Sequence, residues 1–561
     1  MSTETAFADM HVAEPELAAV QADMDALRQR WSEAGDAAAR RAVLADWDEL
    51  RRRLTSWSSL TNLRFQQDTR DEAAKAARDR LDELRPQLQD LEVSFKRELL
   101  ASEHRGELEQ SFGGQAFALW DADVRSFAPE LKEDLVRESK LGADYTALLA
   151  SAKLELQGET LNLSGLLKHA ESPERETRHA CQATYWGFFA EHAEELDRIF
   201  AELVELRAGM AQTLGLPSFT ELGYLRMSRV DYDASDVEQF RAEVREELVP
   251  LCQDLRRAQA ERLGVDALRY WDEAVHDPAG NPAPQPDYEG MLDAAEAMFG
   301  EMGGLGPFFA RMRRQGLLDL QNREGKAGGG FCTSFPVYGV PFVFANFNQT
   351  KGDVRVFSHE AGHAYQNYSS QSQPLLDYLW PTSEAAEVHS MSLEFLTWPH
   401  MERFFGDDAE RFRRVHLIES LLFLPYGVAI DHFQHEVYAR PEASPAERHG
   451  MWQDMERTYL PWRDYGDLAR PAAGALWQRQ RHVYQWPFYY IDYTLALTCA
   501  MQFWVQSQED FADALTRYEA LCARGGSAPF QELVRGAGLR SPFERGCLKE
   551  VAAKAREYLG L

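Results

Sequence analysis

Hydrophobic residues recur at helical spacing along most of this chain. From Glu14 to about Leu100 the apolar positions return every three or four residues, which is the period of an α-helix. The first of these apolar positions are Leu17, Val20, Met24, Leu27 and Trp31. Similar patterning runs over residues 145–214, and the chain returns to it after residue 347. The pattern predicts a mostly α-helical fold.

One segment, residues 331–347, has a different pattern. It is rich in aromatic and β-branched residues, and Tyr338-Gly339-Val340-Pro341 lies near its middle. Aromatic and branched side chains favour strands, and the glycine and proline favour a turn between them. We predict a pair of β-strands here.

A second break falls at residues 276–286, where prolines and a glycine forbid a helix. The segment is either a boundary between domains or a long surface loop, because loops of this length often have a function without marking a boundary. Its composition does not separate the two interpretations.

The composition excludes some classes of partner. With 561 residues, 45% of them hydrophobic, the chain is large enough to build several cores. Its 60 basic and 90 acidic residues leave a formal net charge of -30. An acidic surface repels nucleic-acid phosphates and anionic lipids, so we expect neither nucleic acid nor a membrane as a partner.

The sequence also favours a cytoplasmic location. No stretch reaches the 18 apolar residues of a membrane span, and the acidic, polar start lacks the basic and apolar regions of a secretion signal. The six cysteines are scattered, without the paired spacing of a zinc knuckle or a redox motif. Reduced thiols in a cytosol are therefore expected.

The clearest chemical motif is His359-Glu360-Ala361-Gly362-His363. On a helix, histidines four residues apart share one face and can reach one tetrahedral ion. We predict a zinc helix over residues 354–368, with Asp353 as its N-cap and His359 and His363 as metal ligands. Glu360 lies beside that face, where its carboxylate can take a proton from a zinc-bound water as general base.

A catalytic zinc ion needs a third protein ligand and an open position for water. An acidic cluster over residues 384–395 follows one helix and a connection downstream of the motif. Glu387, 24 residues after His363, is one candidate, and Glu384 and Glu394 compete with it. Spacing alone leaves the choice open. A glutamate that is not the ligand is expected to contact the site from outside or to lie on a solvated helix face.

Four segments follow one another along the chain, and they are GFCTSF at residues 330–335, HEAGHA at 359–364, EVHSMS at 387–392 and PFYYIDY at 487–493. In sequence and in order they resemble the oligoendopeptidase F and thimet oligopeptidase family of zinc peptidases, most closely its bacterial oligoendopeptidase F-like branch. The resemblance covers residues 180–550 well and the amino-terminal helices loosely.

The resemblance implies a mostly α, two-lobed, zincin-like metallopeptidase with a deep central channel and a small β-sheet next to the zinc helix. It implies cleavage restricted to short peptides that can enter the channel. In the family the glutamate of the second motif is the third zinc ligand, and carried over it is Glu387. On this basis we predict that residues 1–180 form part of the channel wall and that residues 181–561 form the catalytic region.

The family also supplies a histidine and tyrosines that contact the substrate and stabilise the tetrahedral intermediate. The matching segment here is residues 481–493, which gives His482, Tyr490 and Tyr493 as candidates. The spacing from His482 differs from that of the thimet oligopeptidase branch, so Tyr489 stays an alternative and Tyr493 is the first choice. Phenol and imidazole donors stabilise a developing oxyanion more than the starting carbonyl.

We therefore expect a zinc metalloendopeptidase that holds one zinc ion per chain and hydrolyses short peptides. The alternative is a peptide-binding homologue that keeps the fold and has lost catalysis, although the intact Glu360 argues against it. A structural zinc module is not expected, because such sites are closed by four protein ligands, usually with cysteines.

Overall fold

A computed structural model describes residues 4–561, and the predicted mostly α-helical fold class is confirmed. The helices before residue 283 are α1 (Leu17–Glu33), α2 (Ala37–Gln67), α3 (Glu72–Leu100), α4 (Arg105–Phe112), α5 (Gln115–Ser126), α6 (Lys132–Ala150), α7 (Leu163–Leu167), α8 (Arg175–Glu191), α9 (Ala193–Thr213), α10 (Phe219–Arg226), α11 (Ala234–Glu243) and α12 (Val249–Leu263). The later helices are α13 (Tyr288–Gly300), α14 (Leu305–Gln315), α15 (Lys351–Ser369), α16 (Ser383–Leu396), α17 (Glu402–Phe405), α18 (Ala409–Ala439), α19 (Pro445–Tyr459), α20 (Arg481–Gln485), α21 (Tyr490–Glu509), α22 (Phe511–Arg524), α23 (Phe530–Gly536) and α24 (Cys547–Leu559). Within residues 4–561, none of these helices is long and apolar enough to cross a membrane.

The strands form two small sheets. Their bounds are β1 (Leu154–Leu156), β2 (Glu159–Leu161), β3 (Leu318–Gln321), β4 (Phe331–Phe335) and β5 (Val340–Phe347). β1 and β2 pair antiparallel, and the other three form a sheet in the order β3-β5-β4. In that sheet β5 pairs antiparallel with β4 and parallel with β3.

The predicted strand pair corresponds to β4 and β5. The turn lies at residues 336–339 and not at the predicted residues 338–341, because Val340 and Pro341 already pair with Phe335 and Ser334 of β4. The first six residues of β5 are buried, as expected for the middle strand of the sheet. β3 was not predicted, because only four residues carry it and its partner lies more than 20 residues later in the chain. β4 lies at one edge of the sheet.

The chain forms two compact units, each built from three separate segments. The first unit comprises the chain up to Phe127, Ala283–Ala409 and Cys499–Ser541, and the second comprises Ala128–Pro282, Glu410–Thr498 and Pro542–Leu561. One boundary falls at Pro282, within the proline-rich segment 276–286, so that segment is a boundary between units. The predicted division into residues 1–180 and 181–561 differs from these two units, and it stays a prediction.

In the first unit the amino-terminal helices share a core with the connection between α15 and α16. This core includes Val20, Met24, Trp47, Phe95, Phe117, Trp120, Leu375 and Tyr378. The first six lie on α1, α2, α3 and α5, whereas the last two lie between α15 and α16. The amino-terminal helices therefore help to fix the segment that joins those two helices.

A buried ion pair holds the same connection. The guanidinium of Arg51, on α2, makes two hydrogen bonds with the carboxylate of Asp377, at 3.0 and 2.7 Å. The indole N–H of Trp120 donates to Asp377 at 3.0 Å, and the carboxylate of Asp48 accepts from the backbone N–H of Leu376 at 2.7 Å. Burial opposes ionisation of Asp377, but Arg51 outweighs burial and lowers the pKa of this carboxyl to about 2.

We expect Asp377→Ala to destabilise the protein by about 3 kcal/mol at pH 7, because the buried Arg51 loses its main anion. The matched control is Asp23→Ala, an exposed aspartate 3.6 Å from Arg53, which should cost less than about 1 kcal/mol. Denaturant titration of the wild type, Asp377→Ala and Asp23→Ala measures the free energy of unfolding of each protein.

The stabilisation by Asp377 should also depend on pH. An unfolded aspartate has an ordinary pKa of 3.8, so the contribution is complete above that value and is lost as the pH falls towards 2. The difference in the free energy of unfolding between wild type and Asp377→Ala should therefore become smaller between pH 4 and pH 2. If Asp377→Ala lowered the free energy of unfolding at pH 7 as little as Asp23→Ala does, Asp377 would not hold the connection between α15 and α16.

Candidate metal centre

Helices α15 and α16 pack unusually closely at Gly362. A Cβ atom built on Gly362 would lie 2.6 Å from the carbonyl oxygen of His389 and 2.7 Å from Cα of Ser390, both on α16. Cβ atoms essentially never come within 3.0 Å of another heavy atom, so only glycine allows this approach. The glycine of the histidine motif thereby brings the acidic helix to the two histidines.

The two helices together place three metal-ligating groups at one point. Nε2 of His359 lies 3.2 Å from Oε2 of Glu387, and Nε2 of His363 lies 3.5 Å from the same oxygen. One ligand atom from each of the three residues lies within 4.8 Å of the others. Ligand atoms around a tetrahedral zinc ion are separated by about 3.3 Å, so the spacing and the chemistry of these donors fit zinc. The hydroxyl of Ser390 donates to Oε2 of Glu387 at 3.0 Å.

The two competing glutamates occupy other places. Oε1 of Glu394 lies 2.8 Å from Nδ1 of His359, the ring nitrogen opposite the one that faces Glu387. An ionised carboxylate only accepts hydrogen bonds, so Nδ1 donates to Glu394, and Nε2 is the ring atom that would ligate a cation. Glu384 is buried and accepts a hydrogen bond from the hydroxyl of Thr382 at 3.0 Å. Glu394 therefore contacts the site from outside, and Glu384 lies outside the group of three.

Sequence reasoning missed two residues that support this arrangement. Ser390 follows Glu387 by three residues on α16, and Arg355 precedes His359 by four on α15. Nε of Arg355 lies 3.3 Å from Oε2 of Glu394. The helical spacing of both residues was visible in the sequence, but it identifies them only once the ligands are known.

The electrostatics of the site suit a cation. Burial disfavours the charged imidazole, but the carboxylates of Glu387 and Glu394 outweigh it and raise the pKa of His359 well above its usual value. Burial likewise disfavours the carboxylate of Glu387, but His363 and His359 outweigh it and lower the pKa of Glu387 well below its usual value. Two carboxylates thus concentrate negative charge around the imidazoles, as a divalent cation requires.

Glu360 is buried on α15 beside the three donors, and burial raises the pKa of its carboxyl. Its Oε2 atom is buried and has no hydrogen-bond partner in the described part of the chain. A Cβ atom on Gly330 would lie 3.6 Å from Oε1 of Glu360, so the start of the edge strand β4 lies next to this carboxylate. A raised pKa makes a carboxylate a better proton acceptor.

The zinc helix begins earlier than predicted. α15 spans Lys351–Ser369 with Thr350 as its N-cap, so the prediction of Asp353 as N-cap is wrong. Asp353 lies in the first turn, and its carboxylate accepts hydrogen bonds from the backbone N–H groups of Asn348 and Gln349. Gln349 has a φ of 67°, and this turn of the chain aims both N–H groups at Asp353.

The predicted histidine and tyrosines form one aromatic cluster in the second unit. The ring centre of His482 lies 5.2 Å from that of Tyr490 and 5.8 Å from that of Tyr493. Tyr490 and Tyr493 are 5.7 Å apart, and the ring of Tyr489 stacks on His482 at 5.6 Å. The three candidates are therefore brought together, with Tyr489 among them. The group of metal-ligating residues, by contrast, belongs to the first unit.

Two family profiles match the amino-acid sequence. Residues 7–127 match the Peptidase M3 N-terminal domain, and residues 168–289 and 308–553 match Peptidase family M3. The chain belongs to peptidase family M3. It is a metallopeptidase, and the predicted family is confirmed. The amino-terminal helices, which the sequence motifs covered only loosely, belong to the matched region as well.

Several solved structures share the fold over nearly their whole length. A candidate oligoendopeptidase F solved from crystals grown by microfluidic seeding is 44% identical, with 99% of each chain covered and a TM-score of 0.94. PZ peptidase A, solved with an inhibitor, is 42% identical with the same coverage and TM-score. A candidate oligoendopeptidase F from Bacillus anthracis strain Ames is 40% identical over 100% of this chain and 99% of its own, with a TM-score of 0.90. No curated protein matches the sequence significantly.

We expect Glu387→Ala to weaken zinc binding more than about 100-fold, because it removes a direct ligand. Glu394→Ala should weaken binding by about 10- to 100-fold through His359, and Glu384→Ala should change it least. Metal analysis after dialysis against buffered zinc gives the three affinities. Equal losses in Glu387→Ala and Glu384→Ala would contradict the assignment of the third ligand.

Proposed function

We propose that this metallopeptidase is a zinc-dependent endopeptidase that hydrolyses short peptides, with Glu360 as general base. The observation that carries the proposal is the unbonded, buried Oε2 of Glu360 beside three donors whose spacing fits zinc. Three protein ligands leave a fourth position open, which distinguishes catalytic zinc sites from structural ones.

His359, His363 and Glu387 would hold the ion, one per chain. Zinc at such a site polarises a carbonyl group and lowers the pKa of a water molecule. The hydrogen bond from Nδ1 of His359 to Glu394 keeps Nε2 turned towards the ion, and the hydroxyl of Ser390 orients Glu387. The ligands are thus held before any substrate arrives.

Glu360 would move the proton in both halves of the reaction. It takes a proton from the attacking water as the oxygen of that water bonds to the carbonyl carbon of the substrate. It returns the proton to the amide nitrogen as the carbon–nitrogen bond breaks, so that the amine leaves neutral. The raised pKa of Glu360 supports this double role, because a strongly acidic carboxyl group would accept the proton poorly.

The edge strand β4 would align the substrate by backbone pairing. In the order β3-β5-β4, one side of β4 has no strand partner among residues 4–561 and could pair with an extended peptide. Gly330, which directly precedes β4, lies beside Glu360. An added peptide strand at this edge would bring a backbone carbonyl towards the carboxylate. The proposed restriction to short peptides rests on the family resemblance. The proposed cytoplasmic location rests on the sequence features described above.

His482, Tyr490 and Tyr493 would donate hydrogen bonds to the carbonyl oxygen as negative charge develops on it. Two observations support this part of the proposal. The residues share one cluster, and the side chains of His482 and Tyr493 are only partly buried.

Incubation with a mixed pool of short peptides, read by mass spectrometry, tests the proposed reaction. The wild-type protein should cleave internal bonds, and a chelator should abolish cleavage until zinc is restored. Glu360→Gln should keep its zinc and lower kcat by about 10²–10⁴-fold, because the amide cannot accept the proton.

The partly exposed Glu436, in the second unit, provides the matched control, since Glu436→Gln should cleave the pool at the wild-type rate. Cleavage by Glu360→Gln at the wild-type rate would exclude this residue as the base. An intact pool with the zinc-loaded wild type would instead support the peptide-binding alternative.

Tyr493→Phe should lower kcat by about 10²–10³-fold with little change in KM, if its hydroxyl meets the oxyanion mainly in the transition state. Steady-state kinetics of Tyr490→Phe and Tyr489→Phe, run in parallel, rank the three hydroxyls. Tyr459→Phe is the control, because that tyrosine hydrogen-bonds His432 outside the cluster. A rise in KM alone would make Tyr493 a substrate-binding residue.

A further inference from the structure

The residue that leads into the tyrosine cluster has an unfavourable backbone conformation. Phe488 has a φ of 66°, in the left-handed region, and it directly precedes Tyr489. A bulky residue adopts this region only when its surroundings impose it, and such residues concentrate at functional sites. The cause must therefore lie in the contacts of Phe488.

Both polar groups of the Phe488 backbone are held by buried side chains. Its N–H donates to Oε1 of Gln434 at 2.9 Å, and its carbonyl oxygen accepts from the guanidinium of Arg229. The same guanidinium nitrogen lies 2.9 Å from the carboxylate of Asp492, on the first turn of α21, and both side chains of this ion pair are fully buried. One arginine thus fixes the backbone just before Tyr489 and the helical turn that carries Tyr493.

The ring of Phe488 is held as tightly as its backbone. It is fully buried, and its centre lies 5.0 Å from that of His435 and 5.5 Å from that of Tyr438. On another side it packs on Gly223 of α10, where a Cβ atom would lie 2.5 Å from Cδ2 of Phe488. A side chain at position 223 would therefore displace the ring.

The end of α10 places the arginine. The N–H of Arg229 donates to the carbonyl of Tyr224, and the N–H of Ser228 donates to that of Leu225, which is the pattern of a helix that ends in a left-handed residue. Ser228 is that residue, with a φ of 54°. Gly223, within α10, and Arg229, just after its end, thus act on the same phenylalanine.

We propose that Phe488 is a positioning residue, whose left-handed backbone, imposed by Gly223, Arg229 and Gln434, sets where the hydroxyls of Tyr490 and Tyr493 lie. We call these four residues, with Asp492, the Phe488 latch. The inference rests on the proposed role of the tyrosines as donors to the oxyanion. Such donors are sensitive to position, because a displacement of about 1 Å can cost about 100-fold in rate.

Gly223→Ala tests the latch, because the added methyl group displaces the ring of Phe488. We expect kcat for a cleaved peptide to fall about 10- to 100-fold with KM within about twofold and with zinc content unchanged. The matched control is Gly209→Ala on α9, where a Cβ atom meets nothing within 4 Å, and it should keep wild-type kcat. Wild-type kcat in a folded Gly223→Ala protein would overturn the proposal.

A double-mutant comparison shows whether the latch acts through the tyrosines. In a Tyr490→Phe/Tyr493→Phe background no hydroxyl remains to be positioned, so Gly223→Ala should lower kcat less than about twofold further. A full additional loss would mean that the glycine acts by another route, and the proposal would fall. If the double phenylalanine variant itself keeps wild-type kcat, the tyrosine donors and the latch both fail. If the double phenylalanine variant has a reduced kcat while Gly223→Ala keeps the wild-type kcat, only the proposal of the latch fails.

Gln434→Met provides a second route if Gly223→Ala does not fold. It removes the acceptor for the N–H of Phe488 at nearly constant volume. The same loss of kcat at constant KM, absent in the double phenylalanine background, is expected. A folded Gln434→Met protein with wild-type kcat would overturn the proposal.

Discussion

The contact between α15 and α16 at Gly362 is the constraint on which the metal centre depends. No single helix offers the donors that a catalytic zinc ion needs, because two histidines of one turn leave the third ligand to another element. The glycine lets the backbone of α16 come within contact distance of α15. Glu387 then reaches both imidazoles, and Glu394 reaches the far nitrogen of His359. The lack of a side chain at Gly362 thus allows the three proposed ligands to come together.

In the second unit, a glycine likewise allows a close contact next to the tyrosine cluster. Gly223 leaves the space that the ring of Phe488 occupies, as Gly362 leaves space for α16. Buried arginines then hold the neighbouring segments, since Arg51 binds the connection between α15 and α16 and Arg229 binds the start of α21. Buried ion pairs of this kind add less to stability than their number suggests, but they define one geometry. Residues such as Gly223 and Arg229, which take no part in the proposed chemistry, thereby fix the positions of the residues that do.

Local features were predictable from the sequence, and features that depend on packing were not. The helices, the strand pair and the shared face of His359 and His363 follow from short-range periodicity. Spacing alone did not choose among the three glutamates of one helix, so the prediction of Glu387 rested on the family resemblance until the contact with α15 was known. The N-cap was mispredicted since the turn at Gln349 is set by its contact with Asp353. Phe488 lies in the PFYYIDY segment, but its backbone conformation could not be predicted, because its partners lie more than 50 residues away.

The most direct test of the account is anomalous diffraction at the zinc edge from crystals of the purified protein, combined with metal analysis of the same sample. The account predicts one zinc ion per chain, about 2.0–2.2 Å from Nε2 of His359, Nε2 of His363 and a carboxylate oxygen of Glu387, with the fourth position open. An ion ligated by Glu384 or Glu394 in place of Glu387, or one closed by a fourth protein ligand, would contradict it.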